Sequence, residues 1–276
     1  MRLGLNRQGV ISGAGEAPYE VSAIKVETPN NLGGFHQTNG SGDWLSGVSL
    51  NDGFTYHCMF RMGAHANSYS QGVLLAFGEY SSSFIIKHNT SSWNSYLNVY
   101  IRDTNGVYVL NSAWSAANPQ ATANYYAGMT MSWNRATAQF DWWFSYHDKA
   151  ELSRSQATAA STNFVFPADM YIPFHGSALG LDNTQPFGWG AIFHEFFDNQ
   201  YVDLSVAANR RKFCGDQAEW GVVNPGADGS GFLGTQPLFF SHNGDPRENV
   251  GSLTVDPYTA NNPVVADTSN LPPVLG

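Results

Sequence analysis

Residues 188–213 read GWGAIFHEFFDNQYVDLSVAANRRKF, and this stretch decides the fold class. From position 191 onward the side chains alternate with the period of two that is typical of a sheet strand. The period predicts two faces, with Ile192, His194 and Phe196 on one and Phe193, Glu195 and Phe197 on the other. Both faces are largely apolar, which predicts a strand that is covered on both sides.

The same stretch continues into one short helix. Residues 198–200 (DNQ) end the strand with turn-forming side chains. Asp203 or Ser205 is predicted to cap a helix of about two turns, because either side-chain oxygen can accept an unpaired backbone N–H. The cations at 210–212 fall in its last turn, where the helix dipole favours them, and Gly215 follows as the stop. We interpret 210–212 as a solvated helix end rather than as a phosphate- or nucleic-acid-binding patch.

Composition favours an all-β protein. Charged residues make up only 13% of the 276-residue chain, while 28 Gly and 13 Pro predict many short strands joined by turns. The net charge of −9 argues against nucleic acid as a partner. No run approaches the roughly 18 apolar residues that span a membrane, and the first residues lack the apolar core of a secretory signal. We therefore expect a protein made in a cytoplasm and not inserted into membranes.

Further strands with the same alternation precede the central stretch. They are predicted at residues 21–26, 54–62, 72–80, 83–87, 96–102, 107–110, 129–133 and 139–146. Residues 103–106 (DTNG) and 134–137 (NRAT) have the composition of hairpin turns. Cys58 lies within an apolar strand and is expected to be a buried free thiol.

Two parts of the chain resemble a known fold family. The residues Gly190, Ile192, Glu195-Phe196, Leu204 and Ser205 are similar to the closing strand and helix of laminin-G-like, concanavalin A-like jelly rolls. The hairpin of residues 129–146, with its Trp-Asn before the turn, recurs in that family in the same order. The resemblance implies an all-β, concanavalin A-like (laminin-G-like) jelly-roll β-sandwich with one short helix near the C-terminal end of the domain.

A longer run has a narrower resemblance. Residues 201–213, followed by GADGS at 226–230 and GTQPL at 234–238, are similar to the form found in structural proteins of tailed bacteriophages. The resemblance implies a non-enzymatic virion protein, either a capsid decoration or a tail or fibre component, assembled in the host bacterial cytoplasm. Its partners would be copies of itself, capsid or tail proteins and, through a carbohydrate-binding face, host surface polysaccharide.

The chain is expected to divide into three parts. Residues 1–18 form an extended arm, residues 19–214 the β-sandwich, and residues 215–276 an extension that packs on the sandwich and on neighbouring subunits. A Gly- and Ala-rich arm buries too little apolar surface to order itself, so partner subunits should hold it. We expect a homo-oligomer, and phage decorations and fibres suggest a trimer. Residues 237–241 should add one strand, and the Pro-rich tail after 256 should run extended over a surface.

The acidic residues do not have the spacing of a glycosidase. A retaining enzyme needs two carboxyl groups about 5 Å apart in one groove. Glu195 and Asp198 are three residues apart on a strand and therefore face opposite sides, while Asp141 stands alone. We therefore expect no enzymatic activity. A secreted or virion-borne glycan hydrolase or lyase, and a free carbohydrate-binding lectin, are the alternatives.

Metal and cofactor signals are missing from the sequence. The eight His residues show no HExxH or zinc spacing, so no metal and no cofactor are expected. His57 and His194 are interpreted as satisfied core or sheet-surface residues. Residues 228–231 (DGSG) lack the ligand spacing of a calcium loop.

Aromatic residues set among Ser, Asn and Gly are the candidate contact residues: Trp44, Tyr69, Tyr80, Trp93 and Trp114. A planar ring in such surroundings can stack on a sugar, and Tyr and Trp are equally typical of protein–protein interfaces. Subunit contact is the favoured interpretation, with glycan contact and plain packing as alternatives.

Overall fold

The structure is a computed structural model. It describes residues 23–26, 35–37, 52–62, 71–79, 82–91, 94–102, 108–116, 126–146, 151–157, 189–215, 220–253, 258–260, 264–268 and 271–275. The predicted arm of residues 1–18 lies outside the described residues. Within the described ranges, no helix is long and apolar enough to cross a membrane.

Strands dominate the described residues. In chain order they are β1 (Ala23–Val26), β2 (Phe35–Gln37), β3 (Gly53–Met62), β4 (Gln71–Glu79), β5 (Ser82–Ser91), β6 (Asn94–Arg102), β7 (Tyr108–Ala116), β8 (Ala127–Asn134), β9 (Gln139–Tyr146), β10 (Glu151–Ala157), β11 (Trp189–Asp198), β12 (Val222–Val223), β13 (Phe239–Ser241), β14 (Tyr258–Ala260), β15 (Val264–Asp267) and β16 (Val274–Leu275). Helix α1 (Ala207–Cys214) and a 3₁₀ turn (Pro246–Glu248) complete the described elements. The predicted fold class, all-β with one short helix, is confirmed for the part of the chain that the structure describes.

The largest sheet is antiparallel and has β11 near its centre. Its order is β10-β9-β8-β3-β11-β1-β15, and β13 also pairs with β11. The stretch that decides the fold class therefore supplies the strand with the most neighbours in this sheet. A second antiparallel sheet has the order β4-β5-β6-β7, while β14 pairs with β2 and β12 runs parallel to β16.

Register gives the large sheet two different faces, because cross-strand partners point to the same side. One face, here called the core face, carries large side chains that are at most 2% exposed: Phe54, Tyr56, Cys58, Phe60, Met129, Met131, Trp133, Phe140, Trp142, Phe144 and Phe197. The opposite face, here called the helix face, is more polar and carries Thr55, His57, Met59, Thr130, Ser132, Asp141, Trp143, Phe196 and Asp198. Phe213 of α1 packs against this second face, with its ring centroid 5.0 Å from that of His57.

A β-bulge changes the predicted faces of β11. The register shifts between Ile192 and Glu195, so that two residues of β11 oppose one residue of β3. Phe193 and His194 consequently both lie toward the helix face, where Phe193 joins a buried apolar cluster. Ile192 lies with Glu195 on the core face. The predicted faces of Ile192 and Phe193 are therefore wrong, because strict alternation does not allow for the extra residue.

Helix α1 ends as predicted but begins differently. Gly215 adopts a φ of 72° and its N–H donates to the carbonyl of Arg211, which confirms it as the stop. The N-cap is Val206, which makes no side-chain capping hydrogen bond. Asp203 instead accepts hydrogen bonds from the N–H and Oγ of Ser205, in a turn before the helix. The predicted cap at Asp203 or Ser205 is therefore wrong.

A serine at the N-cap should stabilise α1. Val206 is 45% exposed and has an extended backbone (φ −83°, ψ 116°), the conformation that capping residues adopt. We expect Val206→Ser to raise the free energy of unfolding by about 0.5–1 kcal/mol, since its Oγ can accept the N–H of Ala208. Urea denaturation measures this change. Val250→Ser, at another exposed valine outside the helix, is the control, and an equal gain there would contradict the capping account.

The C-terminal residues contribute strands to the large sheet. The sequence predicts that residues 237–241 add one strand, and β13 confirms this by pairing with β11. For the tail after residue 256, the sequence predicts only an extended course over a surface. Within it, β15 forms a ladder with β1 in which Val264 to Asp267 oppose Val26 to Ala23. This part of the tail is therefore a strand of the sheet and not a surface strap.

Candidate functional site

Most of the predicted aromatic contact residues lie outside the described residues. This holds for Trp44, Tyr69, Tyr80 and Trp93. Trp114 lies in β7, where it is the cross-strand partner of Leu97 in β6. Contact of this set with a glycan or a partner stays a prediction.

Glu195 is fully buried on the core face. The Tyr56 hydroxyl donates a hydrogen bond of 2.7 Å to its Oε1, and Cys58 is its cross-strand partner. Burial raises the pKa of the Tyr56 hydroxyl well above its usual value, and Cys58 and Glu195 add to this. Burial likewise raises the pKa of the Cys58 thiol, with the negative charge of Glu195 as a further cause. Glu195 is therefore a buried residue of the core face whose carboxyl group is hydrogen-bonded to Tyr56.

Asp198 lies on the helix face, at the end of β11. It is 3% exposed, and burial raises its pKa against the opposing hydrogen bonds from Asn199, Leu238 and Gln200. Asp198 is the cross-strand partner of Thr55, whereas Glu195 partners Cys58. The two carboxyl groups therefore point to opposite sides of the sheet, as their spacing predicts.

A small group of polar side chains, here called the polar corner, lies where β8 and β9 meet the loop after β11. It consists of Asn134, Gln139, Asp141 and Tyr201. Gln139 Nε2 donates to Asp141 Oδ1 at 3.1 Å, and Tyr201 hydrogen-bonds the Asn134 side chain. Partial burial, then Asp203 and Asp141, raise the pKa of the Tyr201 hydroxyl. Carboxylate, amide and phenol groups in one place can donate to and accept from the hydroxyl groups of a ligand.

Arg210 joins α1 to the sheet beside this corner. Its guanidinium carbon lies 3.4 Å from the ring centroid of Trp143. Its Nη1 donates to the carbonyls of Leu204 at 2.7 Å and Ser205 at 3.0 Å. One ring face of Trp143 is therefore occupied by a protein cation, and the ring is not a free platform for a sugar. The predicted solvated helix end is wrong for Arg210, while Arg211 and Lys212 are exposed.

The buried histidines are not satisfied in the way the sequence suggested. His57 Nδ1 is 2.9 Å from Thr130 Oγ1, and the His57 and His194 ring centroids are 5.0 Å apart. Among the described residues, His57 Nε2 and both ring nitrogens of His194 have no hydrogen-bond partner. The interpretation as satisfied core residues is therefore wrong for His194 and half right for His57.

The loop of residues 228–231 is organised by its own hydrogen bonds. Asp228 Oδ1 accepts the N–H of Ser230 at 3.0 Å, and hydrogen bonds from the Ser230 side chain and then from its N–H lower the pKa of the carboxyl group. A side chain at Gly229 would meet the ring of Phe240 at 2.7 Å, so the loop requires glycine there. In the part of the chain that the structure describes, no three His, Cys, Asp or Glu residues come together to hold a metal ion.

The chain is similar to several solved structures at low identity, while no family model and no curated protein matches its sequence. A heptameric SAP-like pentraxin from Limulus polyphemus has a TM-score of 0.48 at 9% identity, with 93% of each chain covered. Tailspike protein 2 of Escherichia coli O157:H7 bacteriophage CAB120 has a TM-score of 0.47 at 10% identity. The match covers 89% of this chain and spans 31% of the tailspike.

A third neighbour is the CBM40 domain of a Ruminococcus gnavus sialidase, which was solved with sialyllactose bound. Its TM-score is 0.38 at 10% identity, with 66% of this chain and 94% of that one covered. These neighbours are lectin-type jelly-roll domains. With TM-scores below 0.5, the likeness decides neither function nor assembly.

Proposed function

We propose that this protein is a non-enzymatic structural protein of a tailed-bacteriophage particle, a capsid decoration or a tail or fibre component. The observation that carries the proposal is the structural role of residues 201–213, whose sequence resembles phage structural proteins. They form the turn that follows the central strand β11 and most of helix α1. Leu204 is 1% exposed, and Ser205 closes the turn that leads into the helix. The residues of the resemblance are thus the ones that build this element.

Glu195 and Asp198, the acidic pair considered for catalysis, are both held by hydrogen bonds within the fold, which supports a non-enzymatic role. Glu195 is bonded to Tyr56 on one side of the sheet, and Asp198 is held by backbone groups on the other. Glycoside hydrolysis requires an acid and a second carboxylate across one substrate bond. These two residues do not share a groove in which a substrate could meet both.

A carbohydrate-contacting role supplements the structural one in this proposal. The polar corner supplies hydrogen-bonding groups from Asn134, Gln139 and Tyr201, all of which are partly exposed. Amide and phenol groups pair well with sugar hydroxyls because each can both donate and accept. Host surface polysaccharide is therefore the ligand class we propose for this face.

Deleting residues 1–18 should separate assembly from folding. We expect the shortened protein to keep its melting temperature within a few degrees, because a Gly- and Ala-rich arm has little apolar surface to contribute to the fold. We expect it to be lost from phage particles grown with it as the only copy. Quantitative mass spectrometry of purified particles measures the copy number. Normal incorporation of the shortened protein would refute the arm as an anchor.

Two further measurements on the full-length protein distinguish the alternatives. If mass spectrometry finds no full-length protein in purified phage particles, the virion role is excluded. Incubation with β-glucans, agarose, alginate and host polysaccharide should give binding or nothing, with no new reducing ends. Turnover that disappears in Glu195→Gln, with an unchanged melting temperature, would establish the hydrolase instead. Glycan binding by protein found free of particles would favour the lectin.

A further inference from the structure

His57 and His194 lie in an apolar enclosure on the helix face. The Phe213 ring is 5.0 Å from His57, and the Phe232 ring is 5.8 Å from His57 and 5.5 Å from His194. Phe240 lies 6.2 Å from His194. Helix α1 and residues 220–236, here called the cover, supply the Phe213 and Phe232 rings. Both imidazoles are fully buried beneath it.

Among the residues that the structure describes, no carboxylate acts on either imidazole, so a protonated ring would have no negative partner there. Thr130 and Gly128 of β8 and the Cys214 thiol of α1 lie beside His57. A Cβ built on Gly128 would lie 2.1 Å from Cys214 Sγ and 3.7 Å from His57 Cε1, so the thiol and the imidazole are neighbours. His242, just after β13, is the third imidazole that acts on His194. The groups of the cover that face the two imidazoles also include the uncharged phenyl rings of Phe213 and Phe232.

Burial accordingly favours the neutral form of both histidines. It lowers the pKa of His57 to about 3, against an opposing hydrogen bond to the Met129 backbone. It lowers the pKa of His194 well below its usual value, with His57 and His242 as further causes. In water, both rings would take up protons near pH 6.5.

No strand ladder among the described residues joins the cover to the large sheet, and its polar contacts there include Arg210 on Trp143 and the Ala227 carbonyl 2.8 Å from His242 Nε2. Its described backbone hydrogen bonds run within itself, as from Gly231 to Pro225, or to the carbonyl of Pro273 from Val222. Its short strand β12 pairs with β16 and not with the large sheet. Side-chain packing is therefore the main contact between the cover and the histidines.

We propose that the cover is an acid-operated latch: at low pH it leaves the helix face, and His57 and His194 take up protons in water. Both groups have a lower pKa when covered than when solvated. The covered state is consequently favoured above pH 6.5 and is lost as the pH falls below that value. Each histidine changes the ratio of open to covered molecules by up to about tenfold per pH unit. Opening would expose Phe196, Phe213 and Phe232 together.

Hydrogen–deuterium exchange of the full chain at pH 7.5 and 5.0 tests the latch, with exchange times scaled to the intrinsic chemical rate. We expect amides of residues 207–214 and 220–236 to lose protection by at least about tenfold at pH 5.0. Amides of β8 and β9 should keep theirs. A cover with the same protection at both pH values overturns the proposal. So does a parallel loss in β8 and β9, because that is acid unfolding of the whole fold.

Variants at His194 test the cause. His194→Phe and His194→Leu each remove one titrating group, and neither sacrifices a hydrogen bond of His194 to a described residue. In whichever variant folds, the loss of amide protection in the cover should be smaller than in the wild type by up to about tenfold for each pH unit below 6.5. His88→Asn in β5 is the control and should behave as wild type. Wild-type dependence in a folded His194 variant refutes the assignment to this pair.

Discussion

Phe232→Ala should lower the free energy of unfolding by about 3–5 kcal/mol. The Phe232 side chain is 2% exposed. Its ring centroid lies within 6 Å of five others: Phe196 and Phe213 at 5.3 Å, His194 at 5.5 Å, His57 at 5.8 Å and Phe240 at 5.9 Å. Alanine would leave a cavity among rings from four elements, β3, β11, α1 and β13. These elements are fixed by their other contacts, so they cannot move together to fill the cavity.

Urea denaturation followed by fluorescence measures the loss. Leu233→Ala is the matched control, because its side chain neighbours Phe232 in sequence but is only partly buried against the same cluster. We expect the control to lose about 1 kcal/mol. If both variants lose the same amount, Phe232 is not the centre of the cluster.

Gly53→Ala should be more damaging than its single added methyl group suggests. Gly53 has a φ of 120°, a backbone conformation that side chains rarely adopt. A Cβ there would lie 1.7 Å from the carbonyl oxygen of Trp133, within the ladder that joins β3 to β8. We expect a loss of at least about 3 kcal/mol, because backbone strain adds to the displacement of a ladder residue.

Gly234→Ala separates these two causes. Gly234 also has a positive φ, of 85°, but a Cβ there would meet nothing within 4 Å. In this variant only backbone strain is added, and we expect it to lower the free energy of unfolding by about 1–2 kcal/mol. Thermal denaturation of both variants gives the comparison. A Gly53→Ala protein as stable as Gly234→Ala would show that β3 and β8 can move apart at this point.

The strands at the centre of the fold could be predicted because their signal is local. In β3, β8 and β9, alternate residues are large and apolar, and the sequence alone shows which ones share a face. The bulge in β11 could not be predicted, since it depends on how Phe193 and His194 meet the partner strand. The cap of α1 was missed because Asp203 has a closer donor, Ser205, in the preceding turn. Strand β15 was missed because its partner β1 is more than 200 positions away.

The candidate sites were harder to predict because their residues come from distant segments. Tyr201 reaches Asn134 and Asp141 only once β11 lies in the sheet and its following loop turns back. The alternation of β9 places Asp141 and Trp143 on one face, but nothing local shows that Arg210 will cover the tryptophan. The surroundings of His194 could not be predicted either. Its ring nitrogens have no partner among the described residues because they face Phe232 and Phe240, which come later in the chain.

Strand order has a consequence for how the chain folds during synthesis. Strand β1 lies between β11 and β15 in the large sheet, so its first partner ladder appears only after Asp198 and its second only after Asp267. Pairings over such sequence distances pay a large loop-closure entropy and form slowly. The large sheet therefore stays incomplete on the ribosome until the residues up to Asp267 have been made. Until then its unpaired edges need protection from neighbouring chains.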